Sequence, residues 1–305
     1  MSERHQLLVI LAGLVVGGLA MTAAGDYWIG IGVSLAMWIA LTQSWAVLCG
    51  LSGYVSLGHV VFYGLGAYVV VATWQTIPLT IALFLAAGVA ALFAAIVGLP
   101  VLRVRGPYLV IITFGLAELV KYCVLAFEAS QGNASRILLG APDIETLFGC
   151  MLVLAGLACV LAYAVRAHRI GHALRAIREN EEAAATIGIP LARFKLIAFV
   201  LSAAIPGAVG GVMAVRSTYF EPLLAFDPMI SFSMIAMAIL GGSDDLRGPV
   251  IGALALAVLS ELLWVNAPQL YMIVLGVCLT AFVLWRPQGL LGPRRQAKGA
   301  ADGVA

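Results

Sequence analysis

PLTIALFLAAGVAALFAAIVGLPVL, residues 78–102, contains no charged residue. At 1.5 Å per residue, a helix of this length exceeds the hydrocarbon core of a bilayer, roughly 30 Å, so the run reads as a membrane-spanning helix. Further apolar runs flank it on both sides, at 7–24, 27–49, 60–74, 107–127, 148–165, 196–215, 228–242, 250–266 and 269–285. Together they predict about ten spans. The runs at 60–74 and 228–242 are short for a bilayer, which predicts broken or re-entrant helices there.

Composition agrees. Of 305 residues, 63% are apolar and 10% charged, and the mean hydropathy is +1.05. Soluble domains average roughly 45–50% apolar and about 25% charged. A water-soluble globule could not hide this much apolar surface, so the expected fold class is an all-α integral membrane protein. A formal net charge of +2 gives no reason to expect nucleic acid as a partner. The five cysteines, Cys49, Cys123, Cys150, Cys159 and Cys278, lie in or beside apolar runs without metal-ligand spacing, and read as small packing residues. Arg4 followed by an apolar run from Leu7 imitates a signal peptide. Its length of about 18 residues and the membrane character downstream favour a retained first helix.

Lys and Arg collect in cytoplasmic loops. Arg103 and Arg105 share one short loop. Arg166, Arg169, Arg175, Arg178, Arg193 and Lys195 share a central one, and Arg286, Arg294, Arg295 and Lys298 fill the tail. Ten spans with both termini inside place all of these, with Arg4 and Arg247, on the cytoplasmic side, and leave Arg136 and Arg216 outside. Residues 1–292 are expected to form a single transmembrane domain, with 293–305 a disordered cytoplasmic tail. Two halves of five spans each would be inverted repeats, and the Gly-rich stretches at 58–66 and 241–252 hint at this arrangement.

The central loop, 166–195, is charged and long. Leu174, Ile177, Ala184 and Ile187 have approximately helical spacing beside Arg175, Arg178, Glu179 and Glu182, which predicts an amphipathic surface helix. Within it Glu182, Ala183 and Ala184, followed by Gly188, resemble the EAA signature of ABC importer permeases. That signature implies a helix docked in a groove of an ATPase subunit. Its usual apolar-Leu-Pro continuation is absent here at the expected distance. None of the lysines, Lys121, Lys195 and Lys298, directly follows a glycine, so there is no GxxxxGK[ST] phosphate loop. ATP hydrolysis would belong to another chain.

Gly50, Gly53, Gly58, Gly64 and Gly66 surround Ser56, His59 and Tyr63. Such a run allows backbones to approach closely or a helix to unwind, and unwound backbone is tolerated at membrane depth where it is buried or lines a cavity. Ser56, Gly58, His59 and Tyr63 are therefore candidates for a solute pathway; His59 also reads as a packing histidine. Glu118, Lys121 and Glu261 are charged within spans, where each charge costs about 2.5–3.5 kcal/mol on insertion scales. Glu118 and Lys121, three apart, either neutralise one another or let Glu118 line the pathway. The turn at 241–249 reads as structural, with Pro249 in the first turn of the following helix.

Several segments resemble permeases of branched-chain amino acid ABC importers. They are SLGH at 56–59, FYGLGAY at 62–68, RGPYLVIITFGLAEL at 105–119, RIGHALRAIRENEEAAATIGI at 169–189, FKLIAFVLSAAIPGAVGG at 194–211, GGSDDLRGPVIGA at 241–253 and RPQGLLG at 286–292. The likeness runs from about residue 45 to residue 292 and is greatest to the longer of the two permease types. It implies a second, related permease, two cytoplasmic ATPases and an extracytoplasmic solute-binding protein as partners, in a bacterial inner membrane. It also implies no cofactor and no catalytic residues, with coupling carried by Glu182, Ala183, Ala184 and Gly188. Where such permeases commonly have a TGG-like segment after the fifth helix, this chain has Ser130, Gln131, Gly132, Asn133 and Ala134, then Arg136. Leucine, isoleucine and valine are the expected solutes, beside urea, short amides or other amino acids in related permeases. A different class of reading is an ion-coupled transporter using Glu118 and Glu261. An intramembrane enzyme has no support, as neither a nucleophile–base pair at mechanistic spacing nor an HExxH motif is found.

Overall fold

The computed structural model describes residues 3–104, 106–132 and 135–266, with 276, 277, 280 and 290 beyond them. Apart from 276, 277 and 280, the tenth predicted span, 269–285, lies outside the described residues, as do the tail, 293–305, and Arg105. Nearly everything described is helical. The long helices are α1 (Glu3–Ala24), α2 (Asp26–Ser52), α4 (Leu79–Val101), α5 (Pro107–Ser130), α6 (Ile144–Ala167), α9 (Leu191–Ser217) and α12 (Arg247–Asn266). Shorter ones are α3 (His59–Ala72), α7 (Arg169–Glu179), α8 (Glu181–Thr186), α10 (Pro222–Ala225) and α11 (Pro228–Gly241). A two-stranded antiparallel sheet, β1 (Arg136–Ile137) with β2 (Tyr219–Phe220), joins two loops. Among the described residues seven helical segments, one of them α10 with α11, are long and apolar enough to cross a membrane. The chain is thus an all-α integral membrane protein.

The two runs expected to be short are short. α3 and α11 have 14 residues each, about 21 Å of helix against a core of roughly 30 Å. Gly53, left-handed at φ 74, ends α2 by donating its N–H to Cys49 O. Residues 53–58 then run without helix to His59.

α2 and α9 form the centre: 78% and 67% of their most apolar windows are buried, against 11% for α1. α1, α4 and α5 turn apolar side chains outward, including Leu19, Phe84, Ile96 and Ile111, as lipid-facing helices do. α4 buries Ala82, Ala86, Ala90, Ala94 and Gly98, one residue per turn, and this stripe packs on α9. Lipid tails are as apolar as leucine, so small residues that admit close backbone approach, rather than apolarity, hold such helices together. A Cβ on Gly66 of α3 would lie 1.9 Å from Gly207 O of α9, and one on Gly210 would lie 2.0 Å from Tyr63 O. The Gly-rich turn between α11 and α12 has the same cause: a Cβ on Gly241 would stand 1.8 Å from Gly248 O. Pro249 falls in the first turn of α12.

Side-chain bonds join the helix ends into two sets. At one end Arg4 reaches Tyr163, Lys195 reaches Tyr54, and Arg178 reaches Gly50 and Asp244. At the other, Arg216 reaches Gly30 and Ser34, Trp74 reaches Leu139, and Tyr68 reaches Glu128. The first end carries α7 and α8.

Candidate functional site

The segment from 166 to 195 folds as two helices rather than one. His168, extended at φ −91 and ψ 168, separates α6 from α7. Gly171 allows the tight return, since a Cβ there would meet Val165 O at 2.4 Å. Leu174 and Ile177 are buried where α7 packs on α2 and α6, so the apolar face of α7 is spent on its own bundle. Asn180, extended at φ −158, stops α7, and its side chain accepts from the N–H groups of Glu182 and Ala183, both at 3.0 Å. The asparagine thus caps α8 and breaks the expected continuous helix.

α8 places the four expected coupling residues differently. Ala184 is 2% exposed, turned inward, whereas Glu182 and Ala183 are exposed. Gly188, also exposed, ends α8 at φ +85 while Ile189 N–H bonds Ala184 O at 3.1 Å, a left-handed closure that favours glycine. Ile187, which the helical spacing had placed beside Ala184 on an inner face, is 74% exposed at the tip.

Two arginines fasten the base of this segment. Arg166, in the last turn of α6 and 2% exposed, donates to Asp244 O and Ser243 O, both at 2.7 Å. Arg178 donates to Gly50 O at 2.8 Å and to Asp244 Oδ1 at 2.7 Å. Lys195, at 3% exposure, donates to Glu181 Oε1 at 2.5 Å and to Tyr54 Oη at 2.7 Å. The Tyr54 hydroxyl also donates to Glu181 Oε2. The sequence shows these residues only as loop charges and a tyrosine in a glycine run.

Three of the pathway candidates lie together in the unwound stretch. Ser56 O accepts from Trp45 Nε1 at 3.1 Å. Leu57 N–H donates to Thr113 Oγ1 at 3.1 Å, and Leu57 O accepts from Ser231 Oγ at 2.8 Å. Ser56 Oγ accepts from Gly58 N–H at 3.2 Å, and Val60 N–H donates to Ser231 Oγ at 3.0 Å. Hydroxyls from α5 and α11 thus satisfy backbone groups that no helix serves, which is what unwound chain in a membrane requires. His59 is fully buried, its Nε2 3.2 Å from Ser202 Oγ. The His59 ring also meets Phe62 and Phe199 edge-on. Ser56, Gly58 and His59 therefore form a packed plug.

Tyr63 and Glu118 stand apart from it. Tyr63 lines a cavity of about 260 Å³ at the end opposite α8, with Ala67, Gly210, Met213, Ser217 and Glu221. Glu118 is ion-paired with Lys121 at 2.5 Å, the neutralised pair that their spacing allowed. Glu261 lines a cavity with Ser34, Trp38 and Ser260. Near the opposite end the structure also shows a buried carboxylate in the last turn of α5, one residue past the predicted run at 107–127. Glu128 receives two bonds from Arg136, at 2.8 and 2.7 Å, and one from Tyr68 at 2.9 Å. Among the described residues, no group of three or more His, Cys, Asp or Glu is placed to hold a metal ion.

Among the described residues the arrangement is a lipid-facing helical body with an exposed, firmly based knuckle at α8. A family model described as "Branched-chain amino acid transport system / permease component" matches residues 27–283. The high-affinity branched-chain amino acid transport system permease protein LivM of Escherichia coli (strain K12) is 28% identical, over 99% of this chain and 78% of the relative. LivM of Salmonella typhimurium is 29% identical over the same shares. The probable branched-chain amino acid transport permease protein LivH of Methanocaldococcus jannaschii is 32% identical over 38% of this chain and 35% of its own. No solved structure matches. With the family model covering most of its length, this chain belongs to the permease components of branched-chain amino acid transport systems, a transport subunit rather than an enzyme.

Proposed function

We propose that this permease moves leucine, isoleucine and valine across a bacterial inner membrane, driven by ATP hydrolysed on separate subunits. Its partners in this reading are a second, related permease, two ATPases and an extracytoplasmic solute-binding protein. The observation that carries the reading is α8. It offers Glu182, Ala183, Ile187 and Gly188 to a partner, while Arg166 and Arg178 hold its base against the bundle. Ile187, 74% exposed at the tip of this polar segment, is the apolar anchor that the reading assigns to the partner, and the chain has no phosphate loop of its own. The names of the LivM relatives support the choice of solute.

In this reading the α8 end faces the cytoplasm, where positive charge collects, and both termini lie on that side. Residues 1–292 act as one permease domain. Ala184 contributes to coupling by seating α8, and Gly188 by closing it. The solute passes the cavity at Tyr63, whose wall mixes apolar and hydroxyl groups, and opening the plug at Ser56, Gly58 and His59 completes the route. Glu118, held by Lys121, serves the helix rather than a proton relay.

Purification from native membrane with mild detergent tests the assembly. The expected result is an ATPase that co-elutes with the permease and is lost on Ile187→Asp. A permease that elutes without ATPase, or an ATPase retained by the variant, contradicts this reading. Competition of labelled leucine uptake by isoleucine and valine, with urea and acetamide inert, supports the solute choice; the reverse overturns it.

A further inference from the structure

We propose that Tyr54, Glu181 and Lys195 form a clasp that carries movement of α8 into the chain leading to α3 and into the first turn of α9. The inference rests on the reading that α8 is driven by a partner ATPase.

The three side chains come from separate parts of the chain and close a triangle. Lys195 Nζ lies 2.5 Å from Glu181 Oε1 and 2.7 Å from Tyr54 Oη, and the Tyr54 hydroxyl bonds the second carboxylate oxygen of Glu181. The ammonium also stands 4.1 Å from the centre of the Tyr54 ring. The Lys195 side chain is 3% exposed and that of Glu181 16%. Opening any side of the triangle leaves a shielded charge with fewer partners, which is costly where water cannot replace them. The three segments therefore favour moving as a unit.

The rest of the end is built so that a push on α8 passes through this triangle. α7 is fixed by Leu174 and Ile177 and by Arg178 on Gly50 and Asp244. Only extended Asn180 separates it from α8. Glu181, the first residue of α8, is thus the point where a moving α8 pulls on the bundle. Tyr54 lies two residues before Ser56, whose carbonyl begins the plug, and the plug ends at His59, the first residue of α3. A cavity of about 290 Å³ beside the clasp, lined by Leu99, Leu102, Arg103, Glu181, Lys195 and Leu196, gives these side chains room to shift.

ATP hydrolysis and solute uptake measured in the same proteoliposomes, containing the intact complex, test the clasp. Tyr54→Phe, Glu181→Gln and Lys195→Met are each expected to leave hydrolysis near wild type while uptake per ATP falls about five- to tenfold, the lower end of ordinary site-to-site coupling. A merely structural role would lower hydrolysis and uptake together and leave their ratio unmoved; the exchange Glu181→Lys with Lys195→Glu is expected to recover part of the lost ratio. If Lys195→Met fails to assemble, Tyr54→Phe, which deletes one hydroxyl, carries the test. An unchanged ratio in Tyr54→Phe and Glu181→Gln overturns the clasp. A wild-type complex that imports without ATP overturns instead the reading on which the clasp rests.

Discussion

Residues 53–58 and 218–227 occupy matching places in the two halves of the molecule and are built in opposite ways. Each follows a buried 27-residue helix, α2 or α9, and each precedes a 14-residue helix, α3 or α11. Each begins with a left-handed residue, Gly53 at φ 74 or Thr218 at φ 53. α3 packs on α9 and α4 much as α11 packs on α2 and α12, the pattern expected of repeats; five crossings per repeat would invert the second copy. The second segment holds itself: β2 pairs with β1, α10 makes a turn, and Asp227 caps α11 through the N–H of Met229. The first has no regular structure and depends on Thr113, Ser231, Trp45 and, through Tyr54, on the α8 clasp. Similar surroundings thus hold one segment paired to a neighbouring loop and one tied to the part proposed to move.

The largest expected effect breaks what both halves share. Gly66→Val drives a side chain into the Gly207 backbone, beyond the about 1–3 kcal/mol of ordinary overpacking. No monodisperse permease should survive size-exclusion chromatography; recovery at wild-type yield would contradict the close packing of α3 on α9. Next is the paired segment. Glu128→Ala strips Arg136 and Tyr68 of their partner at a side chain 2% exposed, though Arg136 itself is 32% exposed. The cost should be about 2 kcal/mol, below the roughly 3–5 of a fully enclosed pair. Thermal unfolding in detergent should fall while uptake per ATP stays unchanged, in contrast to the clasp variants.

How much of this the sequence disclosed depends on whether the signal was local. The run at 78–102 became Leu79–Val101 almost unchanged, because nothing polar blurs its ends. α9 begins at Leu191 rather than 196, because Arg193 and Lys195 are helical and hydropathy cannot see them. Glu118 and Lys121 were legible as a pair by their spacing of three. Asn180 was not legible as a break, since its neighbours favour helix and its capping role needs the extended backbone that the fold imposes. The Tyr54–Lys195 contact spans 141 residues, and no periodicity reports it. Of the glycine run, 53–58 is unwound while Gly64 and Gly66 lie in α3, where Gly66 admits the Gly207 backbone; the packing of the unwound part is decided by hydroxyls on α5 and α11.

Smaller effects sharpen the contrast at the α8 end. Asn180→Ala removes two cap bonds and should cost about 1 kcal/mol locally. Hydrogen exchange of α8 amides should speed up while α2 and α9 stay protected; unchanged exchange would deny the cap its role. Ile187→Ser, at a side chain 74% exposed, should change stability by less than about 0.5 kcal/mol. Its effect should appear only as weaker retention of the ATPase on the purified permease.

The central claim is that transport through this chain is driven by ATP hydrolysed elsewhere and delivered at α8. Uptake of labelled leucine into proteoliposomes holding the complete complex, with ATP supplied on the side of the ATPases and ion gradients collapsed by ionophore, tests it most directly. The account predicts uptake that requires ATP, survives the ionophore and is lost when ATP is replaced by a non-hydrolysable analogue. Uptake that persists without hydrolysis, or that vanishes with the ion gradient while ATP remains, would contradict it.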